Sequence, residues 1–225
     1  MTEQTDDMGA VLLGYTRRYR IYIAIIGLAL FIFVSIHILT SPAGGIIGVT
    51  PGSRVPAFAV PLVGGSLSGA ADIAIHANEG DRGRVPACRE RGAGILNICE
   101  LYERKPVVLA LFLNGGSCAE VLPRLQAAAK MHPDVSVAAV AVKAERAQIL
   151  PIVQRLRLTI PVGFDSEGVL AGIYKMVSCP QLTFILPGGK VDGRPIFTTP
   201  STAMLSAHMS QLAIAARRSA ATGGE

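Results

Sequence analysis

From residue 105 onward the chain alternates short apolar runs with amphipathic segments, and that alternation leaves few folds open. Val107 to Leu113 and Val135 to Val142 are continuous apolar runs of the kind that form strands buried on both faces. Between them, Cys118 to Met131 sets Val121, Leu122, Leu125 and Ala128 at helical spacing. Ala144 to Leu156 predicts a second helix with Ile149, Leu150, Ile152 and Val153 inward. Ile160 to Gly163 reads as a short strand, Glu167 to Met176 as a short helix, and Gln181 to Leu186 as a strand stopped by Pro187-Gly188-Gly189. Pro200 to Arg218 reads as a closing helix. Strands alternating with helices predict an α/β fold, with a central sheet covered on both faces.

The N-terminal part obeys a different rule. Ile21 to Leu39 contains no acid, Lys or Arg, and its length is close to the ~20 residues that cross a bilayer as a helix. Arg17, Arg18 and Arg20 flank its start, whereas only Arg54 is charged between Leu39 and Ala59. The positive-inside rule then predicts a cytoplasmic N-terminus and an extracytoplasmic remainder, in a bacterial cell the periplasmic side of the membrane. A cleaved signal peptide is the competing reading; the apolar run exceeds the usual ~7 to 15 residues of such signals and no small-x-small site follows it. The expected organisation is a cytoplasmic tail (1–20), a transmembrane helix (21–40), a Gly/Pro-rich linker (41–54), one domain (55–218) and a C-terminal tail (219–225). Within the domain, residues 66–104 lack sustained periodicity and read as a long insertion.

Charge narrows the function classes. The formal net charge is +5 and the pI about 9.2, yet three of the arginines adjoin the apolar span and the rest are scattered. No basic helix or aromatic-interleaved basic stripe is present, so a nucleic-acid partner is not expected and the juxtamembrane arginines suit anionic lipid headgroups. All four cysteines, Cys88, Cys99, Cys118 and Cys179, follow the span, and an even count in an oxidising compartment favours disulfides, with three pairings open. Cys118 ends Gly115-Gly116-Ser117-Cys118 directly after an apolar strand. A thiol at a strand-to-helix turn sits where backbone N–H groups favour the reactive thiolate. No Cys-x-x-Cys is present and His132 lies beyond the expected helix end, so no metal or cofactor is expected. Asp165 and Glu167 read as turn and helix-start carboxylates, and Glu120 as a charge at a helix end.

In order, Val107 to Cys118, Thr159-Ile160-Pro161-Val162-Gly163-Phe164-Asp165-Ser166-Glu167-Gly168 up to Tyr174, and Cys179-Pro180-Gln181-Leu182-Thr183-Phe184 up to Gly188-Gly189-Lys190-Val191 resemble a thioredoxin-like protein. The similarity is to the membrane-anchored redoxin branch of thiol-disulfide oxidoreductases and peroxiredoxin-like proteins, and Gly52-Ser53-Arg54-Val55-Pro56-Ala57-Phe58 resembles the start of that domain. The resemblance spans residues 52 to 215 apart from the insertion. It implies a thioredoxin-like fold, a cis Pro180 beside the active thiols, and a redox role.

The chain departs from the family at the attacking thiol. A Cys-x-x-Cys ending at Cys118 would place it at position 115, which is Gly, so the motif is degenerate. A peroxiredoxin pattern would want Thr or Ser at 115 and Pro at 111, and these are Gly115 and Leu111. The strand Val107 to Leu113 also lacks a buried acid. What the resemblance implies is a partner relocated to the residue before the cis-proline: Cys118 pairs with Cys179, and Cys88 with Cys99 as a structural bridge. In this expectation Cys118 attacks a protein disulfide or a peroxide, Cys179 resolves the adduct, and Pro180 shapes a groove where an extended substrate pairs with the sheet edge. The alternative is a non-catalytic binding module with two structural disulfides.

Overall fold

The computed structural model describes residues 19, 21–36, 47–67 and 85–222, and it divides into two units, Met1–Gly45 and Ile46–Glu225. In the first, residues 21–36 form helix α1, whose Ile, Leu and Phe side chains are almost all exposed. No helix among the described residues is long and apolar enough to cross a membrane. The end of the expected span (37–40, including His37), most of the N-terminal tail, and linker residues 41–46 lie outside the described residues.

The second unit is built on a four-stranded mixed sheet of order β5-β4-β3-β6, with β3 Val107–Leu113, β4 Ser136–Val142, β5 Val162–Asp165 and β6 Gln181–Ile185. β3 runs parallel to β4, β4 parallel to β5, and β3 antiparallel to β6. Helices α3 (Val121–Met131), α4 (Arg146–Arg155) and α5 (Val169–Ile173) make the crossovers, and α6 (Thr202–Thr222) closes the chain. Because successive strand residues face opposite ways, the unbroken apolar runs feed two cores at once. Val108, Ala110 and Phe112 pack with Leu122, Leu125, Leu205 and Met209 on the α3/α6 face. Val107, Leu109 and Leu111 pack with Phe58, Ile98, Tyr102 and Tyr174 on the other.

That second face is covered by an element that periodicity alone did not reveal. Residues 66–104 were expected to be an insertion without regular structure; their last part instead forms β2 (Ile95–Asn97), paired antiparallel with β1 (Ala59–Pro61), and helix α2 (Ile98–Arg104). Residues 68–84 of that segment lie outside the described residues. The physical reason is Asn97: its side chain accepts the Cys99 and Glu100 N–H groups at the helix start and donates to the Ala87 and Glu90 carbonyls. One buried amide thereby caps α2 and ties residues 87–90 to it.

The β1-β2 ribbon seats on β5 through Val63 N–H to the Val162 carbonyl (2.8 Å). Gly163 is required at that contact, since a β-carbon there would stand 2.5 Å from Val60 Cγ2 and 3.2 Å from Leu96 Cδ2.

Three boundaries differ from expectation. The domain begins before residue 55, because Gly48 N–H bonds the Lys175 carbonyl and Gly52 N–H the Val191 carbonyl. The helix expected from Cys118 starts as a 3-10 turn over Gly116–Glu120 and becomes α3 only at Val121. The closing helix extends to Thr222, into the expected tail, of which residues 223–225 lie outside the described residues.

Candidate functional site

β3 ends at Leu113, which is 41% exposed, and the chain then turns over the C-terminal edge of the sheet. Asn114 to Ser117 are exposed and Cys118 is half-buried. Gly115 has φ +138° and Gly116 φ +56°, a backbone that side chains with a β-carbon rarely adopt. The turn is therefore not a Cys-x-x-Cys loop with one sulfur deleted. Its backbone has taken a path that suits glycine at position 115, and a thiol there would be strained although the space above it is open.

The second segment arrives from α5. Val177 and Ser178 are exposed, Cys179 is half-buried, and a cis peptide bond leads into the buried Pro180 and then β6. Cys118 and Cys179 form a disulfide with Cα atoms 5.4 Å apart. β3 and β6 are hydrogen-bonded neighbours with Leu111 opposite Gln181, which puts the residue just before β6 beside the turn that leaves β3. Sγ of Cys179 also accepts the Leu113 N–H at 3.2 Å. Both sulfurs pack against the rim of the α3/α6 core.

Cys88 and Cys99 form the other disulfide, Cα atoms 5.3 Å apart, on the opposite face of the sheet. Cys99 is 1% exposed, and Tyr102 Oη lies 3.9 Å from Cys88 Sγ. The bridge links the 3-10 turn Ala87–Arg89 to the first turn of α2.

Other candidates resolve into structural roles. Asp165 is fully buried; its Oδ1 accepts Gly168 N–H (2.9 Å) and its Oδ2 Leu170 N–H (2.8 Å), satisfying donors at the start of α5. His132 Nε2 lies 2.7 Å from Ser206 Oγ, joining the end of α3 to α6. Glu120 is exposed and caps α3 without a side-chain bond. β3 from Val107 to Phe112 is buried and wholly apolar, so no acid stands behind the sulfurs on that strand.

Two features of the site escape sequence reading. The Leu113 N–H contact joins residues separated by 66 positions and leaves no local signature. Gln181, next to Pro180, is fully buried: its Nε2 donates to the Tyr174 carbonyl, while its Oε1 has no partner. A further correction concerns the sheet edge. The outer edge of β6 is already covered, with reciprocal backbone bonds between Leu182 and Ile196 (2.8 and 2.9 Å) and Asp192 N–H on the Phe184 carbonyl. The backbone of β6 over Leu182 to Phe184 is therefore not open to an extended substrate.

Neither a protein family nor a curated protein matches the sequence. Solved structures do match its fold. The thioredoxin domain of a thiol-disulfide oxidoreductase from Bacteroides vulgatus superposes with TM-score 0.54 at 12% identity, covering 73% of this chain and 99% of that one. A thiol:disulfide interchange protein of the thioredoxin family from Chlorobium tepidum gives 0.52 at 13%, covering 73% and 98%. A thiol:disulfide interchange protein from Bacteroides sp. gives 0.52 at 12%, covering 73% and 91%. The chain therefore has the thioredoxin-like fold, the one that these thiol:disulfide oxidoreductases share.

Proposed function

We propose that this chain is a thiol-disulfide exchange protein whose redox couple is Cys118 with Cys179, carried on a membrane-anchored domain on the extracytoplasmic side. The observation that carries the reading is a solvent-reachable disulfide formed between the β3 turn and the residue before cis Pro180. That is where the fold brings two loops together at the C-terminal edge of its parallel strands. A bond between two half-buried cysteines flanked by the small, exposed residues Gly115, Gly116 and Ser178 is open to attack by a partner thiolate. The rim is apolar as well as accessible, since Leu113 is 41% and Val177 63% exposed. It suits an unfolded or extended protein segment bearing a thiol or disulfide, docking beside Val177 to Cys179.

The anchor is supported by the uncharged run Ile21 to Leu39 behind Arg17, Arg18 and Arg20, and by the apolar side chains that α1 exposes on all sides. Membrane fractionation of the full chain, with reporters fused to each end, tests both the anchor and its orientation. A peroxide substrate has less support, because Gly115 and Leu111 stand where a peroxide site would place a hydroxyl and a proline.

The test is exchange activity toward a protein disulfide by the full chain, compared with Cys118→Ser and Cys179→Ser. Both variants should fall to the uncatalysed background; full activity in either rejects the couple. The second reading, a binding module with two structural bridges, is favoured by one observation: the turn at Gly115 has a backbone in which a cysteine would be strained, so no thiol stands at the family's attacking position. Redox titration separates the two. A Cys118–Cys179 potential below about −300 mV marks a permanent bridge, whereas an exchange protein titrates near the poise of its compartment.

A further inference from the structure

The sequence assigns the attacking role to Cys118 and the resolving role to Cys179, yet the two sulfurs are not equivalent in the structure. Cys179 Sγ receives the Leu113 backbone N–H at 3.2 Å. Cys118 lies in the middle of the 3-10 turn Gly116–Glu120, three residues before α3 begins at Val121, and the N-cap of α3, where a helix start most favours a thiolate, is Glu120. Among the described residues no hydrogen bond reaches Cys118 Sγ. We infer that Cys179 is the attacking thiol of this protein and Cys118 the resolving one, the reverse of the roles expected from the sequence. The inference rests on the exchange reading above and deepens it.

The physical argument is charge-assisted hydrogen bonding. An N–H aimed at a sulfur stabilises the anion more than the neutral thiol, because the donor partial charge meets a full negative charge. Leu113 sits at the last position of β3, and its N–H is fixed by a strand buried on both sides from Val107 to Phe112. The donor is thus in place before the bond is reduced and needs no rearrangement after it. Gly115 and Gly116 present open space where side chains would otherwise stand, so the turn does not roof over the pair. Position 118 keeps its ordinary resolving duty, and the attacking sulfur has moved to the other loop.

The cycle balances as follows. In the dithiol form, the Cys179 thiolate attacks one sulfur of a substrate disulfide; a Cys179–substrate bond forms, the substrate S–S bond breaks, and one substrate thiolate leaves and takes a proton from water. Cys118, deprotonated to solvent, then attacks Cys179 Sγ; the Cys118–Cys179 bond forms and the second substrate thiolate leaves. The protein dithiol has lost two electrons and the substrate disulfide has gained them. A thiol reductant of the same compartment reverses both steps to regenerate the dithiol.

The experiment uses the full chain as Cys118→Ser and Cys179→Ser, each keeping the Cys88–Cys99 bridge. Iodoacetamide alkylation rates at neutral pH should favour the remaining Cys179 over the remaining Cys118 by about tenfold, the scale expected for one charge-assisted bond. Incubated with glutathione disulfide, Cys118→Ser should accumulate a mixed disulfide on Cys179, while Cys179→Ser should remain largely unmodified. Equal rates, or faster alkylation and trapping at Cys118, overturn the assignment. The exchange reading fails differently: wild-type protein would then show no exchange at all, whichever thiol proved faster. Circular dichroism spectra matching wild type confirm that each variant is folded when its rate is read.

Discussion

The two disulfides lie on opposite faces of one sheet and differ in almost everything except their Cα separation, 5.3 Å against 5.4 Å. Cys88–Cys99 closes a separation of 11 residues, ties the 3-10 turn Ala87–Arg89 to α2, and pairs a half-buried Cys88 with Cys99 at 1% exposure. Cys118–Cys179 spans 61 residues, joins two loops and sits at the solvent rim. A bridge in a short segment compensates for a small core, whereas a bridge between loops at the sheet's C-terminal edge holds little that the sheet does not already hold. β3 and β6 are already paired by backbone hydrogen bonds over Val107–Leu111. The lesson is that bond geometry alone does not separate a staple from a working couple; burial and what the bridge ties together do.

The largest effect expected from that contrast is selective reduction. Under mild dithiothreitol, Cys118 and Cys179 should become alkylatable while Cys88 and Cys99 remain bonded, as read by mass spectrometry of the labelled peptides. Loss of both bridges in parallel would erase the distinction. Next in size, the double variant Cys88→Ala/Cys99→Ala should lose about 3 kcal/mol of unfolding free energy, the loop-closure value for a separation of 11 residues. Its exchange activity per folded molecule should be unchanged. If activity falls with the bridge intact elsewhere, the first bridge is part of the couple's machinery after all.

A third test moves the covered face without touching sulfur. Gly163→Val would drive a side chain into Val60 and Leu96 and lever the β1-β2 ribbon from β5. Overpacking of this kind costs about 1–3 kcal/mol. Urea unfolding should show that loss while the redox potential of Cys118–Cys179 stays at its wild-type value. A shifted potential would mean that the two faces are mechanically coupled.

How much of this was readable beforehand depends on length and range. β3 and β4 announce themselves because a strand buried on both faces must be continuously apolar, and α3 because four inward residues fit one period. β2 covers Ile95–Asn97 and α2 Ile98–Arg104, too short for any period to build up. A local signal was nevertheless present: Asn97 followed by the buried Ile98 and Cys99 and by Glu100 is a helix-start pattern. The site splits in the same way. Cys118, Cys179 and Pro180 are visible as residues, whereas the φ of Gly115 and the Leu113 N–H on Cys179 arise only when distant segments meet.

The smallest expected effect concerns Tyr174, which touches both sides of the comparison. Its hydroxyl donates to the Pro56 carbonyl at 2.8 Å beside the ribbon, and its own carbonyl accepts Gln181 Nε2 next to Pro180. Tyr174→Phe removes the first bond and keeps the second, so stability should fall by about 1 kcal/mol near neutral pH. Burial pushes the Tyr174 phenol well above its ordinary value of 10.0. With the folded pKa raised, the wild-type advantage is complete below about pH 10, where the unfolded phenol is still protonated. Above it the unfolded chain releases a proton that the folded chain retains, and the advantage shrinks as pH climbs toward the folded value. The wild-type minus Phe difference in urea midpoint should therefore be flat from pH 7 to 9 and narrow at pH 10.5. A difference that stays constant across that range would show that the phenol reaches water in the folded protein, and that the packing between α5 and the ribbon is looser than the 2.8 Å bond implies.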